Sequence, residues 1–148
     1  MFEGVAALSL DAKGRLAIPA RVRDTLLVVA EGSLVLTAHP HRCLLLYPAP
    51  AWQPIREQVL KASSLDPRAA SIKRVLVGNA RTETLDTAGR LLIAAELREY
   101  AQFEKTVFLV GMGTHFEIWS ETGWKQQNDL AAEALLGDLP PGLGDLVL

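Results

Sequence analysis

The sequence has a single cysteine and no long hydrophobic run, and each of these absences excludes a class of protein. Cys43 is alone among 148 residues, so no disulfide can form within the chain. Its position beside Leu44–Leu46 favours a small buried apolar residue over a nucleophile. The longest apolar runs, such as Val107–Val110, have the length of a strand and not the roughly 20 residues of a membrane span. With no signal peptide evident, we expect a cytoplasmic protein without a membrane partner.

The chain also lacks an excess of basic residues. It has 15 Lys and Arg residues against 17 Asp and Glu residues, which gives a formal net charge of −2. Binding to nucleic acid through overall basicity is therefore excluded, and any basic surface must be local. Apolar residues make up 49% of the chain. That is enough for one domain with its own core, or for two smaller units that share a core.

The most informative feature of the sequence is a segment that occurs twice. Leu10–Asp24 and Leu85–Glu99 are identical at eight of fifteen aligned positions. Each copy contains the pattern Asp-x-x-Gly-Arg between apolar residues. The motif residues are Asp11, Gly14 and Arg15 in the first copy and Asp86, Gly89 and Arg90 in the second. The similarity continues at an offset of 72 residues, with Tyr47 aligned to Trp119. The chain is therefore a tandem repeat.

The residue types of this motif are those of a tight turn. Asp accepts hydrogen bonds from backbone N–H groups two residues on, and Gly adopts a positive φ without steric cost. We therefore interpret each copy as a hairpin of strand, turn and strand, followed by a short helix after Pro19 or Ala94. A turn explains Asp and Gly but does not require Arg15 or Arg90. These arginines could bind a ligand, stay solvated, or pair with the nearby Asp.

Short apolar runs and turn signals predict an α+β fold made mainly of β hairpins with short helices. The predicted strands are Val5–Leu10, Leu16–Ile18, Leu34–Ala38, Cys43–Tyr47, Arg81–Leu85, Leu91–Ile93, Thr106–Val110 and His115–Trp119. The predicted helices are Ala20–Leu27, a segment from about Trp52, a segment from Pro67 with Asp66 as N-cap, Ala95–Ala101 and Trp124–Leu136. Glu31–Ser33 is predicted to be a turn. The large aromatic residues are expected in the core or at the interface between the repeats, and not in a ligand cage: Tyr47, Trp52, Trp119 and Trp124.

Catalytic, metal and cofactor sites are not indicated. His39 and His41 flank a proline, and the only other histidine is His115, so a loop is a better interpretation than a metal site. The sequence shows no nucleophile with a base, no phosphate-binding Gly-rich loop and no convincing carboxylate pair. We therefore predict that the protein is not an enzyme and takes no cofactor or small-molecule substrate.

Several motifs together resemble the MraZ family of bacterial transcriptional regulators, which are built from two tandem SpoVT-AbrB, or swapped-hairpin, domains. The motifs are Met1-Phe2-x-Gly4, the paired Asp-x-x-Gly-Arg, Cys43-Leu44-Leu45-Leu46-Tyr47-Pro48, Gly89-Arg90-Leu91-Leu92-Ile93 and Phe116-Glu117-x-Trp119. The resemblance covers nearly the whole chain to about Leu136. It agrees with one AbrB-like domain at residues 5–51, a helical connector at 52–79 and a second such domain at 80–123. The remaining segment, 124–148, is expected to be a C-terminal helix and a mobile tail, because residues 138–148 contain Pro140, Pro141, Gly142 and Gly144.

The resemblance further implies how the protein is built and what it does. The two repeats would interleave into a pseudo-dimeric swapped-hairpin β-barrel, and the chains would assemble into an octameric or similar ring. The ring would bind short direct repeats of double-stranded DNA upstream of the cell-division and cell-wall gene cluster, in the cytoplasm and at the nucleoid. The alternative is a structural interaction module, in which Arg15 pairs with an acid across a subunit interface.

In the family the Asp-x-x-Gly-Arg loops face DNA, so Arg15 and Arg90 carry over as predicted DNA contacts. The first copy is the more basic. Over residues 11–24 it has four basic and two acidic residues, and we expect Lys13, Arg21 and Arg23 to contribute to the interface. Over residues 86–99 the second copy has two basic and three acidic residues, with Ala88 at the position of Lys13. We therefore expect the second loop either to contribute less to DNA binding or to face a neighbouring subunit.

Overall fold

The computed structural model describes residues 1–30 and 32–148 and has the predicted α+β class. The strands are β1 (Val5–Ser9), β2 (Arg15–Ala17), β3 (Leu34–His39), β4 (Cys43–Pro48), β5 (Arg81–Glu83), β6 (Arg90–Leu92), β7 (Thr106–Gly111) and β8 (Phe116–Ser120). The helices are α1 (Ala20–Ala30), α2 (Ala49–Lys61), α3 (Pro67–Leu76), α4 (Ala95–Tyr100) and α5 (Glu121–Ala134). Of the predicted turn at Glu31–Ser33, Glu31 lies outside the described residues.

The two repeats exchange their first strands. Six strands form one antiparallel sheet in the order β1-β7-β8-β4-β3-β5, and β2 pairs with β6 in a separate two-stranded ribbon. Strand β1 of the first repeat therefore pairs with β7 of the second, while β5 of the second pairs with β3 of the first. This confirms the interleaving that the resemblance implied. Neither repeat can complete its part of the sheet without the other.

The strand pairs reveal an internal pseudo-two-fold axis. In the ribbon, Leu16 lies opposite Leu91, its own equivalent in the other repeat. In the centre of the large sheet, Leu45 lies opposite Glu117, which again is its equivalent at the offset of 72. The axis therefore passes through both pairs. The strands and the helices α1 and α2 of the first repeat have counterparts in the second repeat, whereas α3 has none.

The predicted hairpin around each Asp-x-x-Gly-Arg turn is wrong. The chain does reverse there, but β1 joins the large sheet and β2 joins the ribbon. The two sides of the first turn are linked by the bridge between Leu10 and Leu16 and by the hydrogen bond from the N–H of Asp11 to the carbonyl oxygen of Arg15. A turn motif fixes a local reversal and says nothing about which strands pair beyond it. The other two predicted hairpins, β3 with β4 and β7 with β8, are confirmed.

The large sheet has a different layer on each face. One face, with Leu36 and Leu46, packs in the main core against Leu16 and Leu91 of the ribbon and against α1 and α4. The other face carries two smaller clusters. One joins β3 and β4 to Trp52 of α2, and the other joins β4, β7 and β8 to Trp124 of α5. The ribbon and α5 are therefore on opposite sides of the sheet.

The ends of the helices show which local signals were interpreted correctly. Asp66 caps α3 by accepting from the N–H of Arg68, as predicted. Ser120 caps α5, so this helix begins three residues before the predicted Trp124. Helix α2 also begins earlier than predicted, at Ala49, with Pro50 in its first turn. The missing N–H of a proline costs nothing at that position, so the segment Pro48-Ala49-Pro50 both ends β4 and begins α2.

The aromatic residues lie where they were predicted. Tyr47, Trp52 and Trp119 are buried, and Trp124 is half-buried against Phe108. Cys43 is fully buried, and burial raises the pKa of its thiol, which agrees with an apolar role. Among the residues that the structure describes, no helix is both long enough and apolar enough to cross a membrane.

One buried polar contact fastens α3 to the sheet. Thr37 is fully buried on β3, and its Oγ1 donates to the carbonyl oxygen of Leu76 at 2.6 Å.

The substitution Thr37→Val keeps the side-chain volume but leaves the Leu76 carbonyl without its donor. We expect a loss of about 1–2 kcal/mol in the free energy of unfolding, measured by urea denaturation. Thr37→Ser, which keeps the hydroxyl, is the control. Equal stability of Thr37→Val and wild type would contradict this role.

Candidate nucleic-acid interface

In the first loop, Asp11–Arg15, the Asp11 carboxylate accepts three hydrogen bonds from other residues of the loop. Its Oδ1 accepts from the backbone N–H of Lys13 at 2.9 Å and of Arg15 at 2.8 Å. Its Oδ2 accepts from the Arg15 side-chain Nε at 2.8 Å. Gly14 has a φ of +83°, which an L side chain rarely adopts. The Asp, Gly and Arg of the motif thus form one rigid unit.

The second loop, Asp86–Arg90, repeats this arrangement. The Asp86 carboxylate accepts from the N–H of Ala88 at 3.0 Å and of Arg90 at 2.8 Å, and from Arg90 Nε at 2.7 Å. Gly89 has a φ of +76°. The sequence left open whether each arginine binds a ligand, stays solvated or pairs with the nearby Asp. The structure shows that each Arg pairs with the Asp of its own loop. That pairing also fixes where each guanidinium points.

The same hydrogen bonds make the loops sensitive to acid. The hydrogen bond from the backbone N–H of Arg15 is the largest cause of the lowered pKa of the Asp11 carboxyl. The Arg15 guanidinium and the N–H of Lys13 lower this pKa further. Arg90 and Ala88 lower the pKa of Asp86 in the same way. When the pKa of a carboxyl group is lower in the folded state than in the unfolded state, its ionised form stabilises the fold at every pH above the unfolded-state pKa. This stabilisation is lost as the pH falls through the folded-state pKa.

We therefore expect the double variant Asp11→Asn, Asp86→Asn to be less stable than wild type at neutral pH. Its stability should also depend less on pH between about 2 and 5, because the two titrating carboxyls are gone. Urea denaturation over a pH series measures both effects. Asp145→Asn, in the exposed C-terminal tail, is the control. Parallel pH profiles for wild type and the double variant would contradict the assignment.

The ribbon presents both arginines on one exposed surface, which we call the ribbon face. Opposed residues of antiparallel strands share a face, and so do residues two apart on one strand. Arg15 is opposite Leu92, and Ala17 is opposite Arg90, so these four residues form the ribbon face. The alternating residues Leu16 and Leu91 are fully buried beneath it, whereas Leu92 is 51% exposed.

The ribbon face carries two guanidinium groups, each anchored through Nε to its own aspartate. From the register, the Cα atoms of Arg15 and Arg90 are about 8 Å apart. Their side chains are only 27% and 34% exposed, because Nε of each is held by its Asp. No residue that the structure describes accepts a hydrogen bond from their terminal nitrogens. Each guanidinium therefore keeps its outer donors for an external acceptor such as a phosphate or a guanine edge.

The structure places the other predicted site residues at three separate positions. Lys13 is exposed in the first loop, next to the ribbon face. Arg21 lies on α1 in a surface cleft formed with the N-terminal residues Met1–Gly4. Arg23, half-buried on α1, lies against Gly89 of the second loop. The predicted set is thus not one patch, and only Lys13 adjoins Arg15.

One residue near the site was missed by sequence reasoning. Arg98 of α4 lies against Gly14 of the first loop, and its Nε donates to the carbonyl oxygen of Ile93 at 3.0 Å. The signal was available, since Arg23 and Arg98 are identical at aligned positions of the two copies. The acidic Glu96 of the second copy, in contrast, points to Arg81, with 3.4 Å between Oε2 and Nη2.

The histidines do not assemble a metal site. His115 stacks on Tyr47 with 4.4 Å between ring centroids, and His39 contacts His41 at 4.8 Å. Burial lowers the pKa values of His39 and His115. Across residues 1–30 and 32–148, no group of three or more His, Cys, Asp or Glu side chains could hold a metal ion.

Comparison with known proteins gives one consistent result. The family described as MraZ protein matches residues 1–75 and again residues 76–136. The chain is 86% identical to the transcriptional regulator MraZ of Dechloromonas aromatica (strain RCB), with all of both chains covered. It is 58% identical to the transcriptional regulator MraZ of Aromatoleum aromaticum and 54% identical to that of Azoarcus sp. (strain BH72), again over the full length of both chains.

Proposed function

The chain belongs to the MraZ family of transcriptional regulators, and from this premise we propose how it binds DNA. It binds short direct repeats of double-stranded DNA upstream of the cell-division and cell-wall gene cluster. Several subunits of a ring oligomer, octameric or similar, engage consecutive repeats. This places the protein in the cytoplasm at the nucleoid. It acts by binding and without catalysis.

The observation that carries this proposal is the ribbon face. Two arginines lie about 8 Å apart on an exposed two-stranded ribbon, each anchored through Nε. The major groove of DNA admits a two-stranded β-ribbon, and an Arg fork matches the O6 and N7 acceptors of guanine. Because the Asp–Arg pairs hold the guanidinium groups in place before DNA arrives, little side-chain entropy is lost on binding.

The residues have different proposed roles. Arg15 and Arg90 read base edges or clamp phosphates, and Lys13 contacts a phosphate as a flexible point charge. Arg21 belongs to the margin of the interface, because it lies in the cleft beside the N-terminal residues, and Arg23 lies beside the second loop against Gly89. The repeat units are residues 5–51 and 80–123, with a helical connector at 52–79 and a C-terminal segment at 124–148.

A ring explains how a chain with a net charge of −2 can bind DNA tightly. Each subunit needs only a few phosphate contacts when several subunits bind one duplex, because every contact after the first is intramolecular. Helix α1 supports an assembly, since its Leu27 and Val29 are 46% exposed and Val28 is 82% exposed. Exposed apolar surface of this kind is typical of subunit contacts.

The alternative of a purely structural module requires Arg15 to find an acid across a subunit interface. Arg15 already has its acid, since its Nε lies 2.8 Å from Asp11 Oδ2 in the same chain. The same holds for Arg90 and Asp86. The geometry therefore favours DNA over a partner carboxylate as the ligand of the outer guanidinium donors.

Fluorescence anisotropy on duplexes with one, two, three and four direct repeats tests this function. The DNA is taken from upstream of the protein's own gene, and a scrambled duplex of equal length is the control. Affinity should rise steeply with repeat number and fall steeply with salt, as multivalent phosphate binding requires. Light scattering should give a single oligomer. Equal affinity for the repeats and the scrambled DNA would refute sequence-specific binding.

A further inference from the structure

Each repeat places an arginine of its helix on the DNA loop of the other repeat. Arg98 belongs to the second repeat and lies on Gly14 of the first loop. Arg23 belongs to the first repeat and lies on Gly89 of the second loop. These two arginines are aligned and identical in the sequence repeat. The arrangement thus follows the pseudo-two-fold axis and occurs twice in the chain.

The contact at the first loop joins three segments. Arg98 Nε donates to the carbonyl oxygen of Ile93 at 3.0 Å, and the N–H of Ile93 donates to the carbonyl oxygen of Gly14 at 2.8 Å. A Cβ at Gly14 would lie only 2.8 Å from both Cζ and Nε of Arg98. A side chain at this position would therefore displace the Arg98 guanidinium from the turn. The guanidinium lies on the turn itself.

The contact at the second loop is similar but less complete. A Cβ at Gly89 would collide with the guanidinium and Cδ of Arg23. The carbonyl oxygen of Gly89 accepts from the N–H of Ile18 at 3.1 Å, as its equivalent at the first loop does from Ile93. Arg23 thus lies over the turn as Arg98 does. At the first loop, the guanidinium also has its own hydrogen bond.

We propose that Arg98 and Arg23 are positioning residues, each of which holds the DNA-binding loop of the opposite repeat in its bound shape. This rests on the proposed function, because its readout is DNA affinity. Arg98 acts through the first loop and hence on Arg15, while Arg23 acts through the second loop and hence on Arg90. Each arginine thus positions the loop of the other repeat. The sequence repeat alone would assign each arginine to the loop of its own repeat.

The physical basis is preorganisation. Each loop is five residues long, and its tip is exposed. Fixing such a segment before DNA arrives removes part of the ordering cost of binding. Arg98 is half-buried and already hydrogen-bonded within the chain, whereas Arg15 has its terminal donors available. Arg98 therefore suits a supporting role against the loop, and Arg15 suits contact with DNA.

Two double-mutant cycles on repeat DNA test the crossed pairing. Arg98→Ala alone should weaken binding about tenfold, within the usual range for interacting residues. In an Arg15→Ala background its effect should shrink to less than about twofold, because the residue it positions is gone. In an Arg90→Ala background the full tenfold effect should persist. Equal effects of Arg98→Ala in both backgrounds would overturn the proposal.

The salt dependence separates positioning from direct contact. If Arg98 bound a phosphate, Arg98→Ala would reduce the slope of log affinity against log salt by about one. A positioning residue leaves that slope unchanged. Arg98→Lys keeps the charge but loses the planar group and the Nε donor, so it should bind as weakly as Arg98→Ala. Full rescue by lysine, or a reduced slope, would overturn the positioning role.

Hydrogen exchange of the free protein gives a readout that does not depend on DNA. Arg98→Ala should accelerate exchange at the Ile93 amide and in the first loop and leave the second loop unchanged, while Arg23→Ala should do the converse. If Arg15→Ala fails to weaken DNA binding but these exchange patterns appear, the proposed function fails and the crossed support of the loops stands. Unchanged exchange at the first loop in Arg98→Ala would overturn that support.

Discussion

Replacing both Arg15 and Arg90 by alanine is expected to weaken binding to the repeat duplex by a factor on the order of 100 or more. The terminal nitrogens of each arginine donate to no residue that the structure describes, and a good Arg contact to a base is worth about 1–3 kcal/mol. The slope of log affinity against log salt should also decrease if either arginine binds phosphate. Fluorescence anisotropy over a salt series measures both quantities.

The matched control is Arg68→Ala. Arg68 is an exposed arginine that also pairs with an aspartate, since its Nη2 lies 3.3 Å from Asp66 Oδ2. It is at the start of α3, outside the ribbon face, and its loss should change DNA affinity by less than about twofold. Light scattering should show the wild-type mass for both proteins. Wild-type DNA affinity of the double variant, or loss of its oligomer, would contradict the assignment of the ribbon face.

The second large effect is expected in the core. Leu91→Ala should lower the free energy of unfolding by about 2–5 kcal/mol, because Leu91 is fully buried beneath the ribbon face. It lies opposite Leu16 on the pseudo-two-fold axis, where both repeats contribute to one core. The control is the neighbouring Leu92→Ala, since Leu92 is 51% exposed. Its effect should stay within about 0.5 kcal/mol.

The number of transitions in the unfolding curve shows whether the two repeats unfold together. Because β1 and β5 are exchanged between the repeats, neither repeat keeps a complete sheet when the other unfolds. Chemical denaturation of Leu91→Ala should therefore remain a single transition at fixed protein concentration. Two separate transitions, one for each repeat, would contradict a shared core.

Much of the fold could be predicted because its signals are local. Asp66 before Pro67 marks the start of α3, and the two apolar runs on either side of His39–His41 mark the hairpin of β3 and β4. The partners of β1 and β5 could not be predicted from their own residues. A half-buried strand shows the same alternation whichever strand it pairs with, so the exchange was expected only from the resemblance to the family.

In the candidate site, too, the local features could be predicted and the contacts between repeats could not. The turn chemistry of Asp11 and Gly14 follows from their residue types, and their hydrogen bonds agree with it. The position of Arg98 on Gly14 could not be predicted in this way, because it depends on the exchange of strands that brings the second repeat onto the first loop. Sequence repeats show which residues are equivalent, and only the fold shows which of them touch.

The central claim is that DNA covers the ribbon face, and hydroxyl-radical footprinting of the wild-type protein tests it most directly. Two leucines of nearly equal exposure form a matched pair. Leu92 is 51% exposed on the ribbon face, and Leu130 is 53% exposed on α5, on the opposite side of the sheet. Repeat DNA should protect Leu92 from oxidation and leave Leu130 unchanged, and scrambled DNA should protect neither. Protection of Leu130 with no change at Leu92 would contradict the claim.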